Sequence, residues 1–316
     1  MRILVTGAAT WTGGRLIQQL ERRPGVTVFA VDELEPLVEF DSEFERTTLD
    51  RLELAHYVID SAPDVVVHLQ TVDRSALLGR ARAHEEYVLG AQALFGAIAR
   101  TTSVGHVIVK SDSAVYGAGP RNPSVLAETT KTHGQPDPYQ RDLIAMERFV
   151  DEVASSSHDT TFTVLRFASI VGPSLGNPLS RYLTLPGVPT LLGYDPRMQL
   201  IDEDDAVRAL AHAVDNPVAG TFNVAAKGQL YLSRLLRLGL RVPQPLPKRA
   251  WKRAIRALGR LDIHMTEHLT SLLQHGRVMD IRRMHDGLGF EPVLTCRQAT
   301  LSVYGRLPDR HEADAE

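Results

Sequence analysis

Cysteine is almost absent from this chain, which has one, Cys296, in 316 residues. A single cysteine cannot form an internal disulfide, which excludes the disulfide-stapled secreted domains and fits a reducing compartment. We expect Cys296 to be a small apolar core residue, the usual role of a buried thiol.

Long apolar runs are also missing. No segment reaches the roughly 18 apolar residues that a membrane-spanning helix needs. The chain enters an apolar strand at residues 2–5, without the charged and then apolar leader of a signal peptide. Together with the scarcity of cysteine, this predicts a cytoplasmic protein without a membrane partner.

Neither sign of charge dominates. Lys and Arg number 35 and Asp and Glu 38, which gives a formal net charge of -3. Without a strong positive field, binding to nucleic acid is not expected. The 12 histidines show no paired ligand spacing with acids or with the cysteine, so no metal site is predicted.

What the chain does have is a regular alternation of strands and helices. Apolar runs predict strands at 3–5, 26–31, 65–69, 107–109 and 162–167, and amphipathic stretches predict helices at 13–22, 51–60, 85–100 and 139–154. This alternation implies right-handed βαβ units and a doubly wound parallel α/β sheet of Rossmann type. Ligands of such sheets bind beyond the carboxyl ends of the strands.

The pattern changes after about residue 172, where prolines punctuate a loop-rich stretch that runs to residue 196. A helix at 203–214 and a strand at 221–225 then restore the α/β style. We predict a dinucleotide-binding domain at 1–171 to which 200–225 returns, and a smaller, discontinuous substrate-side domain at 172–199 and 226–305. Residues 306–316 are predicted to be a frayed tail.

A glycine-bearing turn joins the first strand to the first helix between Gly7 and Gly13. Such a turn places backbone N–H groups and the helix dipole against a pyrophosphate. Asp32 ends the second strand, where an acid accepts hydrogen bonds from the ribose hydroxyls and repels a 2′-phosphate, so NAD is favoured over NADP. The alternative is that both glycines only make a tight turn and Asp32 caps the next loop.

Thr10 stands where a middle glycine is expected in this turn. A β-branched residue is poorly suited to a positive φ, so we expect the cofactor to bind weakly or in a shifted pose. The predicted cofactor contacts are Gly7, Thr10, Trp11, Thr12, Gly13, Asp32, Asp50 and Leu69.

These residues, with later segments, resemble the extended short-chain dehydrogenase/reductases, the family of sugar-nucleotide epimerases and dehydratases. The resemblance runs from Ile3 to about Pro292. In the first half of the chain it rests on a fourth-strand motif (66–69), the segment that carries the catalytic Ser or Thr (111–117) and the active-site helix (139–147). In the second half it rests on the entry to the substrate domain (165–173), an acidic loop (202–205) and a closing signature (277–292). Residues 139–143 and 186–199 also resemble a branch of actinobacterial epimerase-like proteins that often lacks the catalytic lysine.

The resemblance implies a catalytic Tyr, a Lys four residues later that lowers the Tyr pKa, and a Ser or Thr that orients the substrate. Tyr139 is present, but Leu143 takes the lysine position and Asp112 the hydroxyl position, with Ser113 one step out of register. An unperturbed tyrosine has a pKa of about 10, so only about one in a thousand is ionised at pH 7. Tyr139, Asp112 and Ser113 are the predicted catalytic residues. Asp112 could instead only cap a turn, and Tyr139 could have no catalytic role.

The sequence therefore predicts an NAD-binding epimerase- or dehydratase-like enzyme for a hydroxyl- or carbonyl-bearing small molecule, either anionic or nucleotide-linked. Two alternatives stay open: a redox-neutral lyase, cyclase or isomerase on the same scaffold, and a catalytically dead module that senses dinucleotide or scaffolds a partner. The resemblance also implies a homodimer through the helices at 85–100 and 139–154.

A basic stretch lies between residues 248 and 260, beside an apolar stripe of helical period. It is either an anion site or the solvated face of an amphipathic helix. The histidines nearby, His264, His268 and His275, are expected to lie on the surface or behind the site.

Overall fold

The computed structural model describes residues 1–46, 51–69, 85–157 and 159–307. Asp50, a predicted cofactor contact, lies outside these residues, as does 308–316 of the predicted tail. The strands are Arg2–Thr6 (β1), Thr27–Asp32 (β2), Glu43–Arg46 (β3), Val65–His68 (β4), His106–Asp112 (β5), Thr161–Phe167 (β6), Ser169–Val171 (β7), Gly187–Leu191 (β8), Arg197–Met198 (β9), Leu200–Asp202 (β10), Gly220–Val224 (β11), Leu230–Tyr231 (β12) and Val242–Leu246 (β13).

The helices alternate with these strands through the first half of the chain. They are Trp11–Glu21 (α1), Arg51–Ser61 (α2), Gly90–Ile98 (α3), Pro138–Ser156 (α4), Pro178–Thr184 (α5), Glu203–Asp215 (α6), Leu232–Leu238 (α7), Lys248–Ala257 (α8), Glu267–His275 (α9) and Cys296–Val303 (α10). Among the described residues, no helix combines the length and the apolar character needed to cross a membrane.

A seven-stranded sheet in the order β11-β6-β5-β4-β1-β2-β3 forms the centre of the molecule. Every neighbouring pair in it is parallel. Helix α1 packs against α6, and α2 against α3, which covers the sheet in the manner of a doubly wound fold. The predicted fold class is confirmed.

The buried apolar side chains form two clusters. The larger surrounds the central sheet and also takes in Met279, Met284 and Phe290 from the closing segment. The smaller is built from residues 171–200 and 226–303, around Trp251 and Tyr182. The seam between the two clusters lies at the carboxyl ends of the sheet strands.

A buried ion pair fixes the end of β5 against its neighbours. Arg166 on β6 donates to both carboxylate oxygens of Glu147 on α4, with the shortest contact at 2.6 Å. Ser111 on β5 donates to the same carboxylate at 2.5 Å. Burial alone would lower the pKa of Arg166, but the hydrogen bonds and charge of Glu147 outweigh it and raise that pKa.

The same guanidinium extends the network to the far edge of the sheet. Arg166 donates to the hydroxyl of Tyr116 at 2.8 Å, and Tyr116 donates to Asn223 on β11 at 2.6 Å. Asn223 in turn donates to the carbonyls of Leu126 and Asp280. One set of buried polar groups therefore joins β5, β6, β11, α4 and two loops.

We predict that Glu147→Gln will lower the free energy of unfolding by about 3 kcal/mol, because it leaves a buried guanidinium without its counter-charge. Urea denaturation measures the change. The matched control is Glu152→Gln on the same helix, whose partner Arg148 is 78% exposed; an exposed pair contributes under about 1 kcal/mol. Equal losses in the two variants would contradict the prediction.

His68, on β4, is a buried polar residue of the sheet outside this network. Its Nδ1 shares a hydrogen bond of 2.7 Å with Thr6 Oγ1, and burial lowers its pKa to about 4 from 6.5. Between about pH 6.5 and about pH 4, the imidazole of His68 is protonated in the unfolded chain and neutral in the folded chain. Stability must therefore fall as the pH drops through this window.

From the two pKa values, we expect the titration of His68 to lower the free energy of unfolding by about 2 kcal/mol at pH 5 relative to pH 8. Denaturation at both pH values measures this decline in the free energy of unfolding, which should be smaller by that amount in His68→Gln. The exposed His56 gives the control, since His56→Gln should leave the decline unchanged. An unaltered decline in His68→Gln would show that His68 does not titrate in this way.

Candidate active site

A cleft of about 360 Å³ opens at the carboxyl ends of β1, β4 and β5. One end is lined by the turn after β1 and the loop after β2. The other is lined by the end of β5, by β7, by the start of α5, by α9 and by Arg277. The cleft therefore joins the predicted nucleotide turn to the predicted catalytic segment.

The glycines of the turn allow its close approach to α1. Gly7 has a φ of 77°, a value that favours glycine. A Cβ on Gly13 would lie 2.5 Å from the carbonyl oxygen of Gly7, so no side chain fits there. These two positions fit the requirements of a dinucleotide turn.

Thr10 does not carry the backbone strain that we expected. Its φ is -73°, and it is the N-cap of α1: its Oγ1 accepts from the Gly13 N–H at 3.0 Å and donates to the Gly7 carbonyl at 2.8 Å. A hydroxyl that caps the helix does not need the left-handed conformation of a glycine. Trp11 and Thr12 follow it and line the cleft.

Asp32 lies beneath the nucleotide end of the cleft, 2% exposed. Its two carboxylate oxygens accept from the N–H groups of Ala9, at 2.9 Å, and Leu34, at 3.1 Å. Asp32 thus holds the turn and the following loop in place. Glu35 lines the cleft on the same loop and adds negative charge, and Leu69 lines it after β4.

Two charged side chains of β5 line the end of the cleft away from the glycine turn. Lys110 and Asp112 are two residues apart, so they share one face of the strand, and both reach the cleft. Asp112 is also the N-cap of a 3₁₀ turn at Ser113–Tyr116, accepting from the Ala114 N–H at 2.6 Å. The capping role and the position in the cleft therefore coexist.

Tyr139 begins α4 but is covered by a histidine. The imidazole of His268 stacks on its ring, with centroids 4.1 Å apart and planes 14° apart. His268, not Tyr139, is among the side chains that line the cleft. Leu143, in the lysine position, is buried in the apolar core at 2% exposure.

His268 corrects the expectation that it would lie on the surface or behind the site. It is 6% exposed, and its Nδ1 shares a hydrogen bond with Thr266 Oγ1 at 2.9 Å. It comes from α9, 129 positions after Tyr139 in the chain. No spacing rule connects the two, because only the tertiary fold brings α9 to α4.

Arg277 is the second cleft residue to which the sequence gave no role. Arg277 is 7% exposed; its Nη1 donates to Ser113 Oγ at 2.9 Å and lies 3.5 Å from Asp112. Its Nε donates to the Gly117 carbonyl at 3.3 Å. Ser113 itself is buried behind Asp112, at 2% exposure.

The acidic segment 202–205 does not form the loop that the resemblance implied. Asp202 ends β10 and caps α6, and Glu203 and Asp205 lie in the first turn of that helix. Glu203 accepts from the N–H groups of Ser174 and Leu175, and Asp205 accepts from Val293 and Leu294. Negative charge in the first turn of a helix is favourable. The same acids fix the backbone at 174–175 and 293–294 against α6.

The basic stretch forms α8 and the 3₁₀ turn after it. Trp251, Ile255 and Leu258 are buried in the smaller apolar cluster. The cations are exposed, and none is among the residues lining the cleft: Lys248, Arg249, Lys252, Arg253, Arg256 and Arg260. The solvated face of an amphipathic helix is the arrangement observed.

Comparisons with known proteins agree with this architecture. Uncharacterised proteins of Mycobacterium tuberculosis and Mycobacterium bovis are 35% identical over 309 residues, which is 94% of this chain and 81% of theirs. UDP-glucose 4-epimerase of Thermotoga maritima, solved with UDP-glucose, has a TM-score of 0.74 at 22% identity, over 97% of this chain and 99% of that one.

UDP-glucuronic acid 4-epimerase of Bacillus cereus, solved with UDP-glucuronic acid and NAD, has a TM-score of 0.73 at 18% identity, over 97% of this chain and 99% of that one. At such identities these likenesses concern the fold. Residues 3–225 match the model of the NAD dependent epimerase/dehydratase family, whose cofactor is the NAD that Asp32 predicted. With the parallel sheet, the glycine turn and this match, the chain belongs to the NAD dependent epimerase/dehydratase family.

Proposed function

We propose that this protein is an NAD-dependent enzyme that acts on a hydroxyl or carbonyl group of a small molecule held between the Rossmann sheet and the smaller apolar cluster. The observation that carries the proposal is the single cleft that runs from the glycine turn to Asp112. A dinucleotide bound on the turn would extend towards the charged side chains at the end of β5.

The residues at the nucleotide end fit NAD. Gly7 and Gly13 leave room for a diphosphate, and the start of α1 offers backbone N–H groups. Asp32 places a carboxylate at the end of β2, where the resembled family holds the ribose. Bound NAD supplies reversible hydride acceptance. The chain's own part is to hold the substrate, exclude water and move the proton of the reacting hydroxyl.

Proton transfer at the other end falls to groups that differ from the usual family set. Leu143 cannot lower the pKa of Tyr139 as an ammonium group would. His268 stacks on Tyr139 and lines the cleft, and an imidazole exchanges protons near neutral pH. We assign Asp112 and His268 to contact with the substrate, Tyr139 to positioning the imidazole of His268 through the stacking of the two rings, and Ser113 to positioning Asp112 and Arg277.

A redox-neutral reaction is the second candidate, and one observation favours it. The lysine that orients the nicotinamide ribose in the resembled family is replaced by the buried Leu143. An elimination or isomerisation needs only an acid and a base, which Asp112 and His268 supply. Bound dinucleotide would then have a structural role.

The substrate is proposed to be a nucleotide-linked sugar or a similar hydroxylated molecule, in line with the solved relatives that bind UDP-glucose and UDP-glucuronic acid. A homodimer is proposed through α3 and α4, whose shared surface carries a groove beside Ile144 and Phe149. Sedimentation equilibrium should give twice the chain mass. A monomer at every concentration would exclude the dimer.

We predict that the cofactor-stripped protein binds NAD at least about tenfold more tightly than NADP, because the carboxylate of Asp32 repels a 2′-phosphate. Isothermal titration measures both, and Asp32→Ala should abolish the preference. Asp41→Ala, at an exposed position on the loop after β2, is the control and should keep the preference.

The same sample distinguishes the two candidate reactions. Adding a nucleotide sugar to the NAD-loaded protein should produce the near-ultraviolet absorbance of reduced nicotinamide if hydride transfer occurs. Product formation without that absorbance, and equally with an unreactive NAD analogue, would favour the redox-neutral reaction. Failure to bind any dinucleotide would remove hydride transfer altogether.

A further inference from the structure

The exposed side of α8 concentrates positive charge. Between residues 226 and 261 the chain has ten Lys and Arg and no Asp or Glu, although the whole chain has a net charge of -3. Six of these cations lie on α8 and the 3₁₀ turn after it, and all six are exposed: Lys248, Arg249, Lys252, Arg253, Arg256 and Arg260. We refer to this set as the basic face.

The packing of α8 directs the basic face to solvent. Trp251 and Ile255 are buried in the smaller apolar cluster, and the indole N–H of Trp251 donates to the carbonyl of Pro189 on β8 at 3.1 Å. These contacts occupy the apolar side of the helix, so the charged side is left outward. At 1.5 Å per residue, the basic face extends over about 18 Å.

The charge of the basic face is not balanced by neighbouring acids. Among the described residues, none of the six cations forms an ion pair with another side chain. Asp262, the acid that follows the basic face in the chain, pairs with Arg181 and His264. None of the six lines the cleft, the groove beside α4 or the groove between α1 and α6. The basic face is therefore a convex cationic surface, which suits a large anionic partner better than a small anion.

We propose that the basic face binds the surface of a membrane that contains anionic phospholipids. Clusters of Lys and Arg on a helix are attracted to such surfaces. The apolar side of α8 is already packed in the protein, so the attachment is electrostatic and inserts no helix. The sequence predicted no membrane partner because no apolar run is long enough to span a bilayer, but attachment to the surface needs no spanning helix.

The composition of the basic face favours lipid over protein or nucleic acid. The exposed positions between the cations are Ala250 and Ala257. Alanines provide neither the aromatic anchors of a specific protein interface nor the amide and hydroxyl groups that read base edges. A lipid surface asks only for charge, because its headgroups are mobile and have no fixed pattern to recognise.

Exposed leucines at the two ends of the basic face also favour lipid. The N–H of Leu192 donates to the carbonyl of Leu246 at 2.9 Å, two residues before α8 begins. Leu261 directly follows the last cation, and both leucines are exposed. An apolar side chain gains by entering the boundary between headgroups and acyl chains, whereas a polyphosphate offers it no apolar contact.

The test is co-sedimentation of the full chain with vesicles of two compositions: phosphatidylcholine alone, and three parts phosphatidylcholine to one part phosphatidylglycerol. Each cation near an anionic surface strengthens binding about fivefold, so we expect at least about a hundredfold preference for the vesicles with phosphatidylglycerol. Added sodium chloride should remove the preference, because salt screens exposed charges. Equal binding to both vesicles, no binding to either, or a preference that salt does not reduce would overturn the proposal.

Two matched triple variants locate the binding surface. Lys252→Gln, Arg253→Gln and Arg256→Gln together should weaken binding to the anionic vesicles at least about tenfold, and glutamine preserves the helix. The control removes one Lys and two Arg from exposed positions elsewhere and should keep the preference: Arg22→Gln, Arg121→Gln and Lys131→Gln. Equal effects of the two triple variants, whether large or absent, would contradict the assignment. The salt titration of the unaltered chain tests the proposal even if a variant fails to fold.

Two further probes separate lipid from other polyanions. A DNA duplex represents nucleic acid and poly-glutamate represents an acidic protein, each titrated at the same ionic strength and compared per mole of anionic charge. We expect the anionic vesicles to bind more tightly than either probe. Tighter binding of one probe, lost in the basic-face variant, would assign the face to that class of partner and overturn the membrane proposal.

Discussion

The fold depends on the buried pairing of Arg166 with Glu147. Two charges withdrawn from water are stable only when each has its partner and its remaining donors and acceptors are used, and here Ser111, Tyr116 and Asn223 complete the set. The network fixes the end of β5, and the end of β5 carries Lys110 and Asp112 to the cleft. Its members come from β5, β6, β11, α4 and the 3₁₀ turn after β5, so the network joins these elements at one place.

The central sheet was predictable because its strands are buried on both faces and leave continuous apolar runs in the sequence. The edge strand β3 was not, since Glu43–Arg46 is polar and largely exposed. Strands β8 and β13 were not predicted for another reason, which is that both contain proline: β8 has one and β13 (Val242–Leu246) has two. Proline is tolerated at a sheet edge but argues against a strand when only the sequence is read. The sequence patterns therefore identified the strands of the central sheet other than β3, and missed the short or proline-bearing strands outside it.

The nucleotide end of the site followed from local sequence, because Gly7, Gly13 and Asp32 lie within one βαβ unit. Even there, Thr10 was misjudged: the missing glycine suggested strain, whereas a threonine hydroxyl can cap a helix with ordinary backbone angles. The other end was only half visible. Asp112 could be found from a motif, but His268 carries no local signal, and the closing signature that begins at Arg277 did not indicate that this side chain reaches the cleft.

Ser113 and Arg277 are 164 positions apart in the chain, and this separation has a consequence for biosynthesis. Folding during translation begins from the N-terminal side, so the dinucleotide turn is complete long before Arg277 leaves the ribosome. A chain that is released early retains the turn and lacks the guanidinium. The end of the cleft beside Ser113 is therefore complete only in chains that extend as far as residue 277.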